Sequence, residues 1–145
     1  MEIFTAIRKD HEKQRLLMKI LVETTGNSES RQKYFTELKA ELAHHAIAEE
    51  RHFYSPLMES DNTIEPSRHA IAEHHEIDEL VEKLENTDMS SSAWLIHMKS
   101  LQELVLHHLD EEEHEFFQQA GKVLTAAQKQ KLADEYRHEM EIQES

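Results

Sequence analysis

A shift of 63 residues brings the sequence into register with itself. His11 falls on His74, His44 and His45 fall on His107 and His108, and Glu49 and Glu50 fall on Glu112 and Glu113. Phe53 falls on Phe116, and Leu17, Leu21 and Leu38 fall on Leu80, Leu84 and Leu101. Each half carries one matched His in its first part, then a His-x-x-x-Glu set 34 residues later. So many matched His, Glu and framing leucines at one offset make a duplicated helical hairpin the simplest account.

The hairpin is expected to be helical because the chain avoids the residues that break helices. It has two Gly and two Pro in 145 residues, and Glu, Leu, Ala, Lys and His dominate. Apolar spacing predicts a first helix over about 2–23, ended by Gly26-Asn27-Ser28, and a second over about 30–59. Ser60 to Thr63 reads as a loop, and Pro66 suits the first turn of a third helix over about 66–85. A fourth helix over about 93–120 is expected to stop at Gly121 as its cap. Thr125-Ala126-Ala127-Gln128 reads as a capping box opening a short fifth helix to about Met140, with a frayed tail beyond. Four long amphipathic helices with short connections predict an all-α, antiparallel, up-down-up-down four-helix bundle. The fifth helix then packs over one end or side, and residues 1–145 make a single domain.

Helical phase decides which member of each His pair faces inward. On the second helix Phe35, Leu38, Leu42, His45, Glu49 and Phe53 follow steps of three or four, whereas His44 shares a face with Glu37, Glu41 and Arg51, expected in solvent. On the fourth, Trp94, Met98, Leu101, Val105, His108, Glu112 and Phe116 form the inward row. His11 aligns with Phe4, Ile7, Met18 and Leu21, and His74 with Ala70, Ile77, Val81 and Leu84. Six polar residues therefore sit on apolar stripes: His11, His45, Glu49, His74, His108 and Glu112. Burying a neutral polar group without a partner costs roughly 2 kcal/mol or more, and a charge costs far more, so the six need a shared reason. Residues at i and i+4 project from one face, so each His-x-x-x-Glu can offer both side chains to one centre. Four imidazoles and two carboxylates suit a pair of transition-metal ions, with each Glu able to bridge. His52, His69, His97, His114 and His138 are expected at the surface.

Bulk properties narrow the functions. Thirty acidic against sixteen basic residues give a formal charge of −14, which repels phosphate backbones and argues against nucleic-acid binding. No apolar run approaches the length of a membrane span, and no signal-peptide pattern opens the chain, so a cytoplasmic location is expected. The absence of Cys excludes disulfides, thiolate metal sites and a cysteine nucleophile. The apolar residues of the fifth helix, Leu124, Leu132, Tyr136 and Met140, either cap the bundle or join a dimer, which leaves the oligomeric state open.

At these residues the chain resembles the hemerythrin-like family of HHE cation-binding domains. The resemblance lies in Asp10-His11, in His45 to Glu50 followed by Phe53-Tyr54-Ser55-Pro56, in His74 to Ile77, and in His108 to Glu113 followed by Phe116-Phe117. It spans about residues 5–120. It implies a four-helix bundle with a non-haem di-iron centre bridged by carboxylates, although zinc or manganese would also suit such donors. Where the family's oxygen carriers have a second His four residues after the third-helix ligand, this chain has Asp78, a candidate additional ligand. Otherwise one coordination position stays open, which favours reaction with O2 or peroxide.

The expected function is that of a di-iron protein that binds O2 or another small diatomic ligand, or senses oxygen, redox state or iron. Alternatives are an enzyme consuming peroxide, O2 or NO, and a metal store or buffer. In the enzyme Tyr54 is a nearby phenol, although its helical phase lies off the inward row.

Overall fold

The computed structural model describes residues 1–144, and among these there is no strand. Helix α1 spans Ile3–Leu21. Helix α2 starts as Glu29–Glu49 and runs on through a π-helical turn, Glu50–Tyr54, into Ser55–Leu57. Helix α3 spans Ile64–Glu85. Helix α4 starts as Ser92–Glu111 and runs on through a second π-helical turn, Glu112–Phe116, into Phe117–Val123. Helix α5 spans Ala126–Glu144.

Local chemistry sets most of these ends. Gly26 takes a left-handed φ of 53° in the α1–α2 turn, a conformation that costs other residues a Cβ clash. The Ser28 and Ser91 hydroxyls accept from Arg31 N and Ala93 N, each at 3.1 Å, and so cap α2 and α4. Thr125 Oγ1 accepts from Gln128 N at 3.1 Å while Gln128 Oε1 accepts from Thr125 N at 2.7 Å, the reciprocal capping box read from the sequence. Arg31 ties the two turns at this end of the bundle together. Its guanidinium donates to Thr24 Oγ1, Thr24 O and Met89 O and lies 4.6 Å over the Trp94 ring.

Three boundaries differ from expectation. Gly121 does not cap α4. It lies inside the helix, which ends at Val123 because Leu124 turns extended. The fifth helix is not short. It runs 19 residues to Glu144, because Leu132, Ala133, Tyr136 and Met140 are buried along its length against α1 and α2. Helix α3 starts two residues before Pro66, where Thr63 is locked by donating to Leu57 O at 2.6 Å and accepting from Ser67 Oγ at 2.7 Å.

The core has two apolar parts. One joins Ile3, Phe4 and Ile7 to Phe53, Leu57, Ala70, Phe116 and Phe117, and includes the buried face of α5. The other joins Leu17 and Leu21 to Leu38, Leu42, Ile77, Leu84, Trp94, Met98 and Val105. Along each of α1 to α4 the inward His and Glu residues lie between the stretches that feed these two parts.

Candidate metal centre

The six inward polar residues are all buried, none more than 6% exposed. Helices α1, α2, α3 and α4 each contribute one imidazole, and α2 and α4 add the carboxylates. Ligating atoms of His11, His45, Glu49 and Glu112 lie within 4.8 Å of one another, as do those of Glu49, His74 and His108. Each carboxylate reaches one imidazole from each half of the duplication. Glu49 Oε1 is 2.9 Å from His45 Nε2 and 3.3 Å from His74 Nε2. Glu112 Oε1 is 3.1 Å from His11 Nε2, and its Oε2 is 3.7 Å from His108 Nε2. The imidazole pairs repeat with the sequence: His11 and His45 have ring centroids 5.0 Å apart at 68°, and so do His74 and His108.

Closeness here is not hydrogen bonding. His11 Nε2, His45 Nε2, His108 Nε2, both Glu49 oxygens and Glu112 Oε1 are buried without a hydrogen-bond partner among the described residues. These atoms approach one another without the alignment that a hydrogen bond requires. Leaving so many buried polar atoms unpaired is costly, and a cation among them removes that cost. The donor set fits transition-metal ions: neutral imidazole nitrogens with carboxylates that can bridge.

The outer nitrogen of every imidazole is engaged, which orients the ring and fixes its tautomer. His11 Nδ1 pairs with Glu113 Oε2 at 2.6 Å, and its counterpart His74 Nδ1 pairs with Glu50 Oε2 at 2.8 Å. His108 Nδ1 pairs with Glu73 Oε1 at 2.8 Å. His45 Nδ1 reaches its carboxylate through a phenol: it lies 2.5 Å from Tyr136 OH, which donates to Asp10 Oδ2 at 2.5 Å. With Nδ1–H directed outward, it is Nε2 that turns inward and, once it gives up any proton to an incoming ion, offers the lone pair that metal-binding histidines need.

The electrostatics call for positive charge. Burial and the adjacent Glu49 carboxylate push Glu112 up from its ordinary value. Burial opposes charge on His45 and His74, but carboxylates outweigh it. Glu49 and Asp10 hold His45 well above the usual imidazole range, and Glu49 and Glu50 push His74 up to about 9.

Sequence reasoning missed several residues of this site. Glu50, Glu73, Glu113 and Asp10 hold the imidazoles, and the 63-residue shift that pairs Glu50 with Glu113 also pairs Asp10 with Glu73. Tyr136 has no counterpart in the repeat. Tyr54, expected as a nearby phenol off the inward row, is buried in the site and donates to Glu112 Oε2, with His74 Nε2 at 3.5 Å from its oxygen. The π-helical turn after Glu49 takes up one extra residue, which swings Tyr54 onto the inward side beside Phe53. Glu41, expected in solvent, is buried beside Lys13 Nζ at 3.2 Å. His52 is half-buried against Glu139 at 3.2 Å. Asp78 is exposed and belongs to neither group of ligating atoms.

The Hemerythrin HHE cation binding domain family matches residues 2–120. The chain belongs to this family. Its structure is similar to the crystal structure of a Hemerythrin HHE cation binding domain-containing protein from Mycobacterium kansasii. The TM-score is 0.88 at 25% sequence identity, over 99% of this chain and 87% of that one. Among curated proteins none matches the chain significantly in sequence. No helix among the described residues is long and apolar enough to cross a membrane.

Proposed function

We propose that this HHE domain is a non-haem di-iron protein of the cytoplasm that binds O2 or another small diatomic ligand, or senses oxygen, redox state or iron. His11 and His45 hold one ion, His74 and His108 hold the other, and Glu49 and Glu112 bridge them. The observation that carries this reading is the set of buried, unpartnered Nε2 and carboxylate atoms, each carboxylate reaching an imidazole of both halves. An antiparallel up-down-up-down bundle is the topology that suits it. The order in which α1 to α4 pass from one apolar part of the core to the other, reversing at each helix, supports that topology.

Iron, when bound, supplies redox change and affinity for small ligands. The chain's own residues orient the imidazoles through Glu50, Glu73, Glu113 and the Tyr136–Asp10 pair, and aromatic and aliphatic layers flank the site at both ends. Asp78 stays outside the ligand set, which leaves six donors for two ions.

One observation favours a second reading, consumption of peroxide, O2 or NO. The Tyr54 hydroxyl lies inside the site on Glu112, and burial together with Glu112 and Glu49 holds its pKa well above the usual phenol range. It therefore keeps its proton and can donate it or a hydrogen bond to a ligand at the centre. The test is to load Fe(II) without oxygen, add O2, NO or peroxide in turn, and follow the visible spectrum and turnover. Spectral change with one equivalent and no turnover supports binding or sensing. Sustained turnover that falls in Tyr54→Phe supports the enzyme. Preference for zinc, with no response to any of the three ligands, would sink both and favour a metal store.

A further inference from the structure

The duplicated halves are not dressed alike. Helix α5 lies along the groove of α1 and α2, where Ala6 and Ala48 are buried with its Leu132 and Ala133 in one apolar part of the core. The equivalent groove of α3 and α4 holds a cavity of about 330 Å³. The 63-residue shift carries Ala6, Asp10 and Ala48 onto His69, Glu73 and Glu111, which line that cavity. Small residues that admit a helix in one half are thus replaced by an imidazole and a carboxylate in the other.

These side chains converge. Ligating atoms of His69, Glu73 and Glu111 lie within 4.8 Å of one another. His69 Nε2 is 2.8 Å from Glu111 Oε1 and 3.6 Å from Glu73 Oε2. Glu73 is buried, and its other oxygen, Oε1, serves His108 Nδ1 at 2.8 Å, so Oε2 is left to face His69. The cavity is also lined by His108 and Glu112, whose buried Nε2 and Oε1 have no hydrogen-bond partner among the described residues. It therefore leads from the surface triad to residues that are themselves short of a cation.

We propose that His69, Glu73 and Glu111 form a third metal site, which takes a divalent transition ion at the mouth of this cavity. One imidazole and two carboxylates match the charge and donor preference of Zn2+, Fe2+ or Mn2+. The acidic chain, with Glu65 and Glu115 on the same cavity, raises the local concentration of cations. Through Glu73 the site touches the hydrogen bond that orients His108, so an ion here sits one carboxylate away from the buried cluster.

The test is equilibrium dialysis of the full chain against Zn2+, with total metal per chain counted by mass spectrometry. The wild type, His69→Ala/Glu111→Gln and the control Glu115→Gln are compared. The double variant is expected to bind one ion fewer than the wild type, and Glu115→Gln is expected to match the wild type. Equal counts in the wild type and the double variant overturn the site. So does loss of an ion in Glu115→Gln, which would mean diffuse attraction to acidic groups. The difference is read whether or not the buried cluster fills, so failure of the di-metal reading lowers both counts and leaves the difference intact. Circular dichroism checks that the double variant folds. If it does not, wild-type crystals soaked in Zn2+ decide: anomalous density among the three side chains supports the site, and its absence overturns it.

Discussion

Removing one oxygen from Tyr136 should loosen one metal and spare the other. Among the described residues the Tyr136 hydroxyl is the only link at hydrogen-bond distance between His45 Nδ1 and a carboxylate, at 2.5 Å to each side. In Tyr136→Phe the ring still fills its place, but His45 Nδ1 faces Asp10 Oδ2 across 3.8 Å, too far for a hydrogen bond. Losing a buried bond to a charged group costs about 1.5–3 kcal/mol of stability. For a chain of 145 residues that lowers Tm by roughly 2–4 °C per kcal/mol, or about 3–12 °C. Loss of a partner that orients a ligating His weakens metal binding by about 10–100-fold, or roughly 1.4–2.7 kcal/mol. In the proposed centre His45 and His11 serve one ion, so in calorimetric titration of the metal-free variant one of the two binding events of the buried cluster should weaken and the other should stay unchanged. Glu73→Gln should weaken the other buried-cluster event, because Glu73 orients His108, and with it any binding at His69 and Glu111. An unchanged Tm and titration in Tyr136→Phe would refute the orienting role. Equal weakening of both events would mean that α5 supports the bundle as a whole and not His45.

Three further outcomes follow from the same geometry. In the metal-free protein His74 is raised to about 9 from 6.5, so its contribution is full below about pH 6.5 and is lost as pH rises through about 9. That is about 3 kcal/mol, and denaturant unfolding at pH 6 and pH 10 measures it; equal stability at both would contradict the charged network. Metal retention should run the opposite way, because protons compete for imidazole nitrogens. Dialysis below the usual His range, around pH 6.5, should strip the metal, and retention in strong acid would argue against imidazole ligation. Leu38→Ala, in the fully buried apolar layer away from the cluster, should cost about 2–5 kcal/mol and leave metal content unchanged, as unfolding and metal analysis of the same sample would show.

The inward row of α2 and α4 and the convergence of six side chains were legible because helical phase and the repeat speak to the same positions. His45 and His108 separate from His44 and His107 by one residue of phase, which is 100° around a helix. Phase failed where the helix stopped being regular: Tyr54 enters the site only because a π-helical turn follows Glu49. Binary pattern failed at Glu41, whose burial depends on Lys13 from α1. The carboxylates that hold the imidazoles were within reach of the repeat, since Asp10 and Glu73 share an offset with Glu50 and Glu113. Tyr136 was beyond it, because its place depends on how α5 docks onto α1 and α2.

Metal content tests the central claim most directly. The protein is purified without oxygen, metals per chain are counted by mass spectrometry, and the optical spectrum is taken before and after air. Two iron ions in the buried cluster, lost together in His45→Leu/His108→Leu, with charge-transfer bands appearing in air, is the predicted result. Protein without metal, with the double variant as stable as the wild type in the presence of Fe(II), would contradict it.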